Sequence, residues 1–145
     1  MSTDTIVLPD SEALVIGALA GMPELAELEG RLYSIVPKSP RVFPLARVYR
    51  FGGDPLYGGH PYWLDNPSMQ VDVWADGGFP PLRSLAETVR ACMAQKLVGE
   101  WPQGVVLSVL VSSLVQSADA SFNPPKPRYR FTAQLLVRPL RAPLP

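Results

Sequence analysis

The sequence predicts an α+β domain: a mixed or antiparallel β-sheet of about five strands with two main helices packed on one face. Residues 81–98 place their apolar side chains on one stripe at helical spacing, which is typical of a helix packed against a core. Residues 68–78 and 128–139 alternate apolar and polar side chains, which is typical of half-buried strands. The predicted order of elements is α-β-β-β-α-β-β, which suits a sheet covered by helices.

Local signals place each element along the chain. Asp10 or Ser11 can cap a first helix that ends at Gly21, and a short helical turn follows over 22–30. The odd-numbered residues from 105 to 111 are expected to share one strand face. The predicted strands are residues 31–37, 41–51, 68–78, 103–117 and 128–139.

Length and composition fit one globular domain. The chain has 145 residues, of which 47% are hydrophobic and 18% are charged, so it is too apolar for disorder. The 13 basic and 13 acidic residues cancel, and a neutral chain is disfavoured as a binder of nucleic-acid phosphates. We expect a single domain over residues 1–139, followed by an extended proline-rich C-terminal tail over 140–145.

Cysteine usage and the N-terminal residues indicate the compartment. Cys92 is the only cysteine, so an internal disulfide is impossible and a reducing compartment is expected. The apolar run 13–20 is too short to span a bilayer and follows acidic residues, so neither a membrane span nor a secretory signal is predicted. We therefore expect a soluble chain in the cytoplasm.

Few side chains suggest catalysis, and we expect no catalytic residue and no cofactor. Asp72 and Asp76 are four residues apart, which on a strand is about 13 Å, too far for an acid–base pair. Asp76 is better explained as a turn residue before glycine. Cys92 is expected to be a buried, inert thiol, with a Cys–His nucleophile pair as the alternative.

The glycine- and proline-rich loop 52–67 holds the one histidine, His60, together with Asp54 and Asp65. A histidine with two carboxylates can hold a metal ion, so a small metal-dependent enzyme is one alternative. A solvated loop histidine is the simpler interpretation, and we assign no metal ligand.

Aromatic side chains in the same loop suggest contacts. Tyr57, Tyr62 and Trp63 either form a small satellite core or contact a partner. Asp72 and Trp74 share the polar face of strand 68–78. We interpret that face as a second covered face, and we expect Trp74 to lie under a helix, a loop or a neighbouring subunit.

Two arginines in the last strand allow two interpretations. Arg128 and Arg130 either line a channel through which DNA passes or belong to a solvated strand face. We favour the solvated face, because such charges are common on strands.

The sequence also resembles the tail terminator, or tail-completion, proteins of long-tailed bacteriophages, and most of all those of phages that infect actinobacteria. The resemblance covers residues 11–139. It is carried by "GRLY" at 30–33, by "QVDVW" at 70–74 before the second main helix, and by the closing strand "RYRFTAQLLVRP".

The resemblance implies a structural virion protein without catalysis or cofactor. Such proteins form a hexameric ring that caps the head-proximal end of the tail tube, stops its polymerisation and offers a docking surface to the head. The implied partners are other copies of the chain, the tail tube protein and the head–tail connector or neck proteins. The resemblance also implies that DNA passes through the lumen without specific binding and that no membrane is involved. The implied locations are the tail and neck of the virion, and the host cytoplasm during assembly.

We expect the subunit and partner interfaces to use aromatic and charged side chains, with loops 52–67 and 118–127 and the tail as candidate ring faces. Two further functions stay open: another neck or head-completion connector protein, and a monomeric module that binds a peptide through its sheet edge. The expected interface residues are Tyr57, Tyr62, Trp63, Asp72, Trp74, Trp101, Phe122, Arg128 and Arg130.

Overall fold

The computed structural model describes residues 7–38, 42–55 and 64–140. It confirms the predicted α+β class, with a mixed sheet and two main helices, α1 (Ser11–Ala20) and α2 (Phe79–Lys96). A 3₁₀ helix spans Pro23–Leu28. The strands of the described residues are β1 (Leu32–Tyr33), β2 (Leu45–Gly52), β3 (Ser68–Trp74), β4 (Gly99–Trp101), β5 (Gly104–Val111), β6 (Val115–Gln116) and β7 (Arg128–Arg138).

These strands form one curled sheet in the order β1-β2-β3-β7-β5-β4, and β6 also pairs with β7. β1 runs parallel to β2, and the other pairs are antiparallel. The long strands β3 and β7 lie at the centre, in register from Ser68 opposite Gln134 to Trp74 opposite Arg128. This register fixes which side chains of the two strands share a face.

Both helices pack on the same face of the sheet, which we call the inner face. The Asp10 side chain caps α1 by accepting a hydrogen bond from the Ala13 N–H at 3.1 Å, as the sequence predicts. The apolar stripe of α2 lies against alternate residues of β3 and β7, such as Val71 and Phe131, which are buried in one core. No helix among the described residues is long and apolar enough to cross a membrane.

A β-bulge at Leu107 overturns the predicted facing of β5. Val106 pairs with Val137 and Ser108 pairs with Leu136, so Leu107 is an extra residue in the strand. Because a bulge shifts the alternation by one, Val106 and Val109 both face the core. The prediction that residues 105, 107, 109 and 111 share one face is therefore wrong.

Candidate functional site

The face of the sheet that points away from the helices, here called the outer face, carries four of the predicted site residues. Asp72, Trp74, Arg128 and Arg130 all lie on this face, since they alternate with core residues along β3 and β7. The outer-face residues of β2, β3 and β7 include Leu45, Arg47, Tyr49, Gln70, Asp72, Trp74, Arg128, Arg130, Thr132 and Gln134.

Asp72 is the centre of a row of charges across three strands. Arg47 on β2 and Arg130 on β7 are both paired in register with it. Arg47 Nη2 donates to Asp72 Oδ2 at 2.6 Å, and Arg130 Nε donates to Oδ1 at 2.8 Å. Gln70 Nε2 adds a hydrogen bond to Oδ1 at 3.1 Å. The Asp72 carboxylate is fully buried, and a buried charge is tolerated when it is paired in this way.

Aromatic rings flank the positive side chains of this row. The Arg47 guanidinium carbon lies 4.4 Å from the Tyr49 ring centroid and 5.8 Å from that of Trp74, both within cation–π range. Burial disfavours the charged form of Arg130, but the hydrogen bond and charge of Asp72 and the contact with Tyr49 outweigh it and raise its pKa. The row therefore sets two guanidinium groups against one carboxylate.

Residues 117–127, which follow β6 and are here called the cover loop, cross one end of the outer face. Trp74 Nε1 donates to Asp119 Oδ2 at 2.8 Å, and Arg128 Nη1 lies 3.7 Å from the same oxygen. At the rim, Lys126 forms an ion pair with Asp76. Trp74 is buried under this loop, which confirms the prediction of a second covered face.

The Asp119 carboxylate is held in its ionised form. Burial is the largest single influence and raises its pKa. Hydrogen bonds from the Ser121 side chain and backbone and from Trp74, with the charge of Arg128, together outweigh burial and lower the pKa below its usual value. Asp119 therefore acts as a fixed anionic anchor of the cover loop at neutral pH.

A cavity of about 150 Å³ lies between the cover loop and the sheet, and we call it the aromatic cavity. Two of its lining rings, Phe43 and Phe122, contact each other edge to face, with ring centroids 5.9 Å apart. Lys126 Nζ lies 4.0 Å from the Phe43 centroid and 5.4 Å from that of Phe122. The cavity is lined by Val36, Phe43, Leu45, Arg47, Trp74, Asp119, Ser121 and Phe122.

Strand β5 offers a second candidate site, an exposed sheet edge. β4 pairs with Gly104–Val106 only, and no strand among the described residues pairs with Leu107–Val111 on the side away from β7. Leu107 is 41% exposed and Leu110 is 73% exposed. We call Leu107–Val111 the β5 edge. An unpaired edge with exposed apolar side chains is a template for pairing with another chain.

The opposite edge of the sheet is better protected. β1 pairs with the start of β2, and the Glu12 side chain of α1 accepts a hydrogen bond from the Arg50 N–H at 2.8 Å. A capped edge is a poor template for a new strand, so the two edges of the sheet differ in their capacity to bind.

The remaining predicted interface residues are not all brought together. Phe122 lies in the cover loop and lines the aromatic cavity, whereas Trp101 lies on β4, where its Nε1 donates to the Leu97 carbonyl oxygen at 2.8 Å. Trp101 packs against the inner core, away from the outer face. Tyr57, Tyr62 and Trp63 lie outside the described residues.

The interpretation of Arg128 and Arg130 as a solvated strand face is wrong. Arg130 is bound to Asp72, and Arg128 donates to the Ser117 carbonyl and hydroxyl oxygens besides lying beside Asp119. Both side chains are partly buried, because Asp72 and the cover loop supply acceptors that the sequence pattern does not show.

One carboxylate of the metal-site alternative, that of Asp65, already has a cationic partner. Asp65 is buried, and its two carboxylate oxygens accept from Arg50 at 2.5 and 2.9 Å. His60 lies outside the described residues, and within those residues no group of three or more histidine, cysteine, aspartate or glutamate side chains could hold a metal ion. The expected buried thiol is confirmed: burial, and then the charge of Glu24, raise the pKa of Cys92.

Comparison with known proteins gives one kind of finding, a likeness of fold. Neither the protein-family models nor the curated proteins include a match to this chain. A chain of known structure does match it. That chain belongs to the virion of a native gene transfer agent particle; the match covers 88% of this chain and 93% of that one, with a TM-score of 0.60 and 18% identity. At this identity the likeness shows a shared fold.

Sequence reasoning missed three residues that lie on or against the outer face. Arg47 carries a signal that could have found it, because it alternates with the apolar Ala46 and Val48 along β2. Phe43 and Asp119 lie in irregular segments without periodicity, so only the three-dimensional structure shows that Asp119 accepts a hydrogen bond from Trp74 and that Phe43 lines the same cavity.

Proposed function

We propose that this chain is a structural protein of a phage-like virion, and that it acts as a tail terminator. In this role six copies close into a ring at the head-proximal end of the tail tube, stop its polymerisation and provide the surface on which the head docks. The observation that carries the proposal is the fold shared with a gene transfer agent virion chain over nearly the full length of both chains. The resemblance of residues 11–139 to tail terminators points in the same direction.

The β5 edge supports the assembly part of the proposal. A closed ring needs a heterologous interface, in which one patch of a subunit meets a different patch of the next. The exposed Leu110 and the unpaired backbone of Leu107–Val111 supply one such patch, and the capped β2 edge makes it unlike the other side of the sheet. In the proposed ring, the β5 edge of one subunit would contact a surface other than the β5 edge on the next subunit.

The outer face supports a structural role over a catalytic one. Asp72 accepts three hydrogen bonds from Arg47, Arg130 and Gln70, so its carboxylate is engaged in holding three strands together. Asp119 is engaged in the same way by Trp74 and Ser121. Carboxylates satisfied by permanent partners are poorly placed to act as acids or bases.

The proposed partners are other copies of the chain, the tail tube protein and the neck proteins, with DNA passing through the ring without specific binding. The proposed locations are the virion and, during assembly, the host cytoplasm. A second candidate is another neck or head-completion connector, because the shared virion fold supports it equally well. The binding partner separates the two.

The test is electron microscopy of the purified chain mixed with tail tubes of the same particle, together with its mass in solution. We expect density for a six-subunit ring at one end of each tube and none along the tube wall. The solution mass shows whether the ring exists before it meets the tube. Binding to head portals but not to tube ends would favour the connector instead.

A further inference from the structure

We propose that residues 139–145 of one copy, "PLRAPLP", dock in the aromatic cavity of a neighbouring copy. This inference rests on the proposed function, since it requires that copies meet in an assembly. It assigns a ligand to the aromatic cavity, for which the contacts of the outer face suggest no function.

The chemistry of the cavity fits a proline-rich segment. Proline-rich chains favour the extended polyproline II conformation, which aromatic-lined grooves recognise because little entropy is lost on binding. Trp74, Phe43 and Phe122 line the cavity, and Leu45 and Val36 add apolar surface. Cavities of about 150 Å³ accept a group the size of benzene, so this one has room for a single proline ring or leucine side chain.

The charges near the cavity also tolerate this segment. Asp76 and Asp119 are balanced by Lys126 and Arg128, with which they form ion pairs. The one charged side chain of the segment, Arg141, therefore meets balanced ion pairs at the rim, while Arg47 in the cavity lining is paired with Asp72, so apolar contacts dominate. We expect the binding to depend little on salt concentration.

The geometry of β7 shows that the segment cannot reach the cavity of its own subunit. Arg128, at one end of β7, lies opposite Trp74 beside the cavity, and Arg138 is at the other end. Ten residue steps of strand separate the two ends, which is about 33 Å. The seven residues 139–145 span about 22 Å as polyproline II. A second copy must therefore supply the segment that fills each cavity.

A competing cavity lies near the end of β7 from which the segment leaves. It has a volume of about 230 Å³ and is lined by α1, the start of the 3₁₀ helix, Lys96 and Trp101. Trp101 on β4 is close to β5, whose Val105 pairs with Arg138, so the segment could meet this cavity in its own subunit. The experiment must therefore distinguish binding beside Trp74, in the aromatic cavity, from binding beside Trp101, in this second cavity.

The test is a titration of the full chain, carrying Trp63→Phe and Trp101→Phe so that Trp74 is its only tryptophan, with a capped peptide of residues 138–145. We expect a saturable change in Trp74 emission. A matched peptide in which glycine replaces each proline keeps the charge and should bind about tenfold more weakly. Calorimetric titration of the unsubstituted chain gives a second readout that does not depend on fluorescence.

Two variants show whether the aromatic cavity is the site. Phe122→Ala removes one wall. Ser121→Leu fills the cavity and keeps both phenylalanine side chains and the backbone hydrogen bond from Ser121 to Asp119, although the side-chain hydrogen bond is lost. Each should weaken binding about tenfold or more, with circular dichroism showing that the fold is kept. Absence of saturable binding, or binding unchanged in both variants, would overturn the inference. So would calorimetric binding that disappears with Trp101→Phe.

Failure of this inference and failure of the proposed function are distinguishable. The titration uses isolated subunits, so it succeeds or fails whether or not a ring caps the tube. Tubes that are capped normally by a chain without peptide binding would overturn the docking and leave tail termination standing.

Discussion

Asp72 holds the most demanding position on the outer face, a fully buried carboxylate between two arginines. Its value to the fold lies in the pairing and not in the charge itself, because taking an ion out of water is costly unless partners replace the water. Arg47 and Arg130 are each about one-third exposed, so water also stabilises their charges. The buried Asp72 carboxylate has no contact with water, so its charge is stabilised by these two arginines and by Gln70.

Replacing Asp72 by alanine should lower the free energy of unfolding by about 1–3 kcal/mol, because two partly exposed arginines lose their shared acceptor while solvent still hydrates them. Urea denaturation measures the change. The matched control is Asp76→Ala, which removes an ion pair with Lys126 from a side chain that is 67% exposed and should cost about 0–1 kcal/mol. Equal losses in the two variants would contradict the role given to the charge row.

The attachment of the cover loop to the sheet depends on pH, because the Asp119 carboxylate makes it. Its pKa is lowered in the folded chain from a usual value of 3.8, so it binds protons less readily than in the unfolded chain. Its contribution to stability is therefore fully present above the unfolded pKa and is lost as pH falls through the folded one.

We expect the stability difference between the native chain and Asp119→Asn to be constant near neutral pH and to shrink below about pH 4. Thermal melts between pH 3 and 7 measure it, and Trp74 emission should report the loosening of the loop over the same range. Asp76→Asn serves as the control carboxylate. A difference that grows as the solution is acidified would contradict the sign argued for Asp119.

At the scale of elements, sequence patterns were most reliable where an element is long and buried on one face. α2, β3 and β7 follow their predicted patterns, since many residues repeat the same period. The sequence does not predict β4, which contains only Gly99–Trp101. Three residues are too few to show a periodic pattern, and Gly99 is typical of the end of a helix. The predicted strand 103–117 is divided into β5 and β6. The bulge at Leu107 could not be predicted, because a segment that is apolar on both faces shows no alternation that a bulge would interrupt.

The β5 edge gives a prediction of its own. Leu110→Lys should weaken ring formation, because a lysine on an exposed strand edge opposes pairing with another chain. The stability of the single subunit should change by no more than about 0.5 kcal/mol, since the side chain is exposed. Binding to tube ends, counted by electron microscopy, and thermal melting of the free chain measure the two effects.

The control for this edge variant is Val115→Lys. Val115 is also apolar and 57% exposed, but it lies on β6, outside the β5 edge. If the two variants cap tubes equally well, or if both fail equally, the β5 edge is not the assembly surface.

At the scale of the whole molecule, every described strand from Leu32 to Arg138 joins one sheet, and both helices share its core. The expectation of one domain over residues 1–139 stays a prediction, as does the extended tail, whose last five residues lie outside the described ranges.

The candidate site was predicted only in part. Alternation along β3 placed Asp72 and Trp74 on a second face, but what covers them depends on contacts between distant parts of the chain. Asp119 is 45 residues from Trp74, and no local pattern encodes their meeting.

The central claim is that copies of this chain end the growth of a tail tube, and the length of tubes tests it most directly. Tail tube protein polymerised on its initiating end should give tubes of scattered length when it is alone. With the purified chain present, elongation should stop, and each stopped tube should carry a ring at its growing end in electron micrographs. Tubes that continue to lengthen at the same rate in the presence of excess chain, with bare ends, would contradict the account.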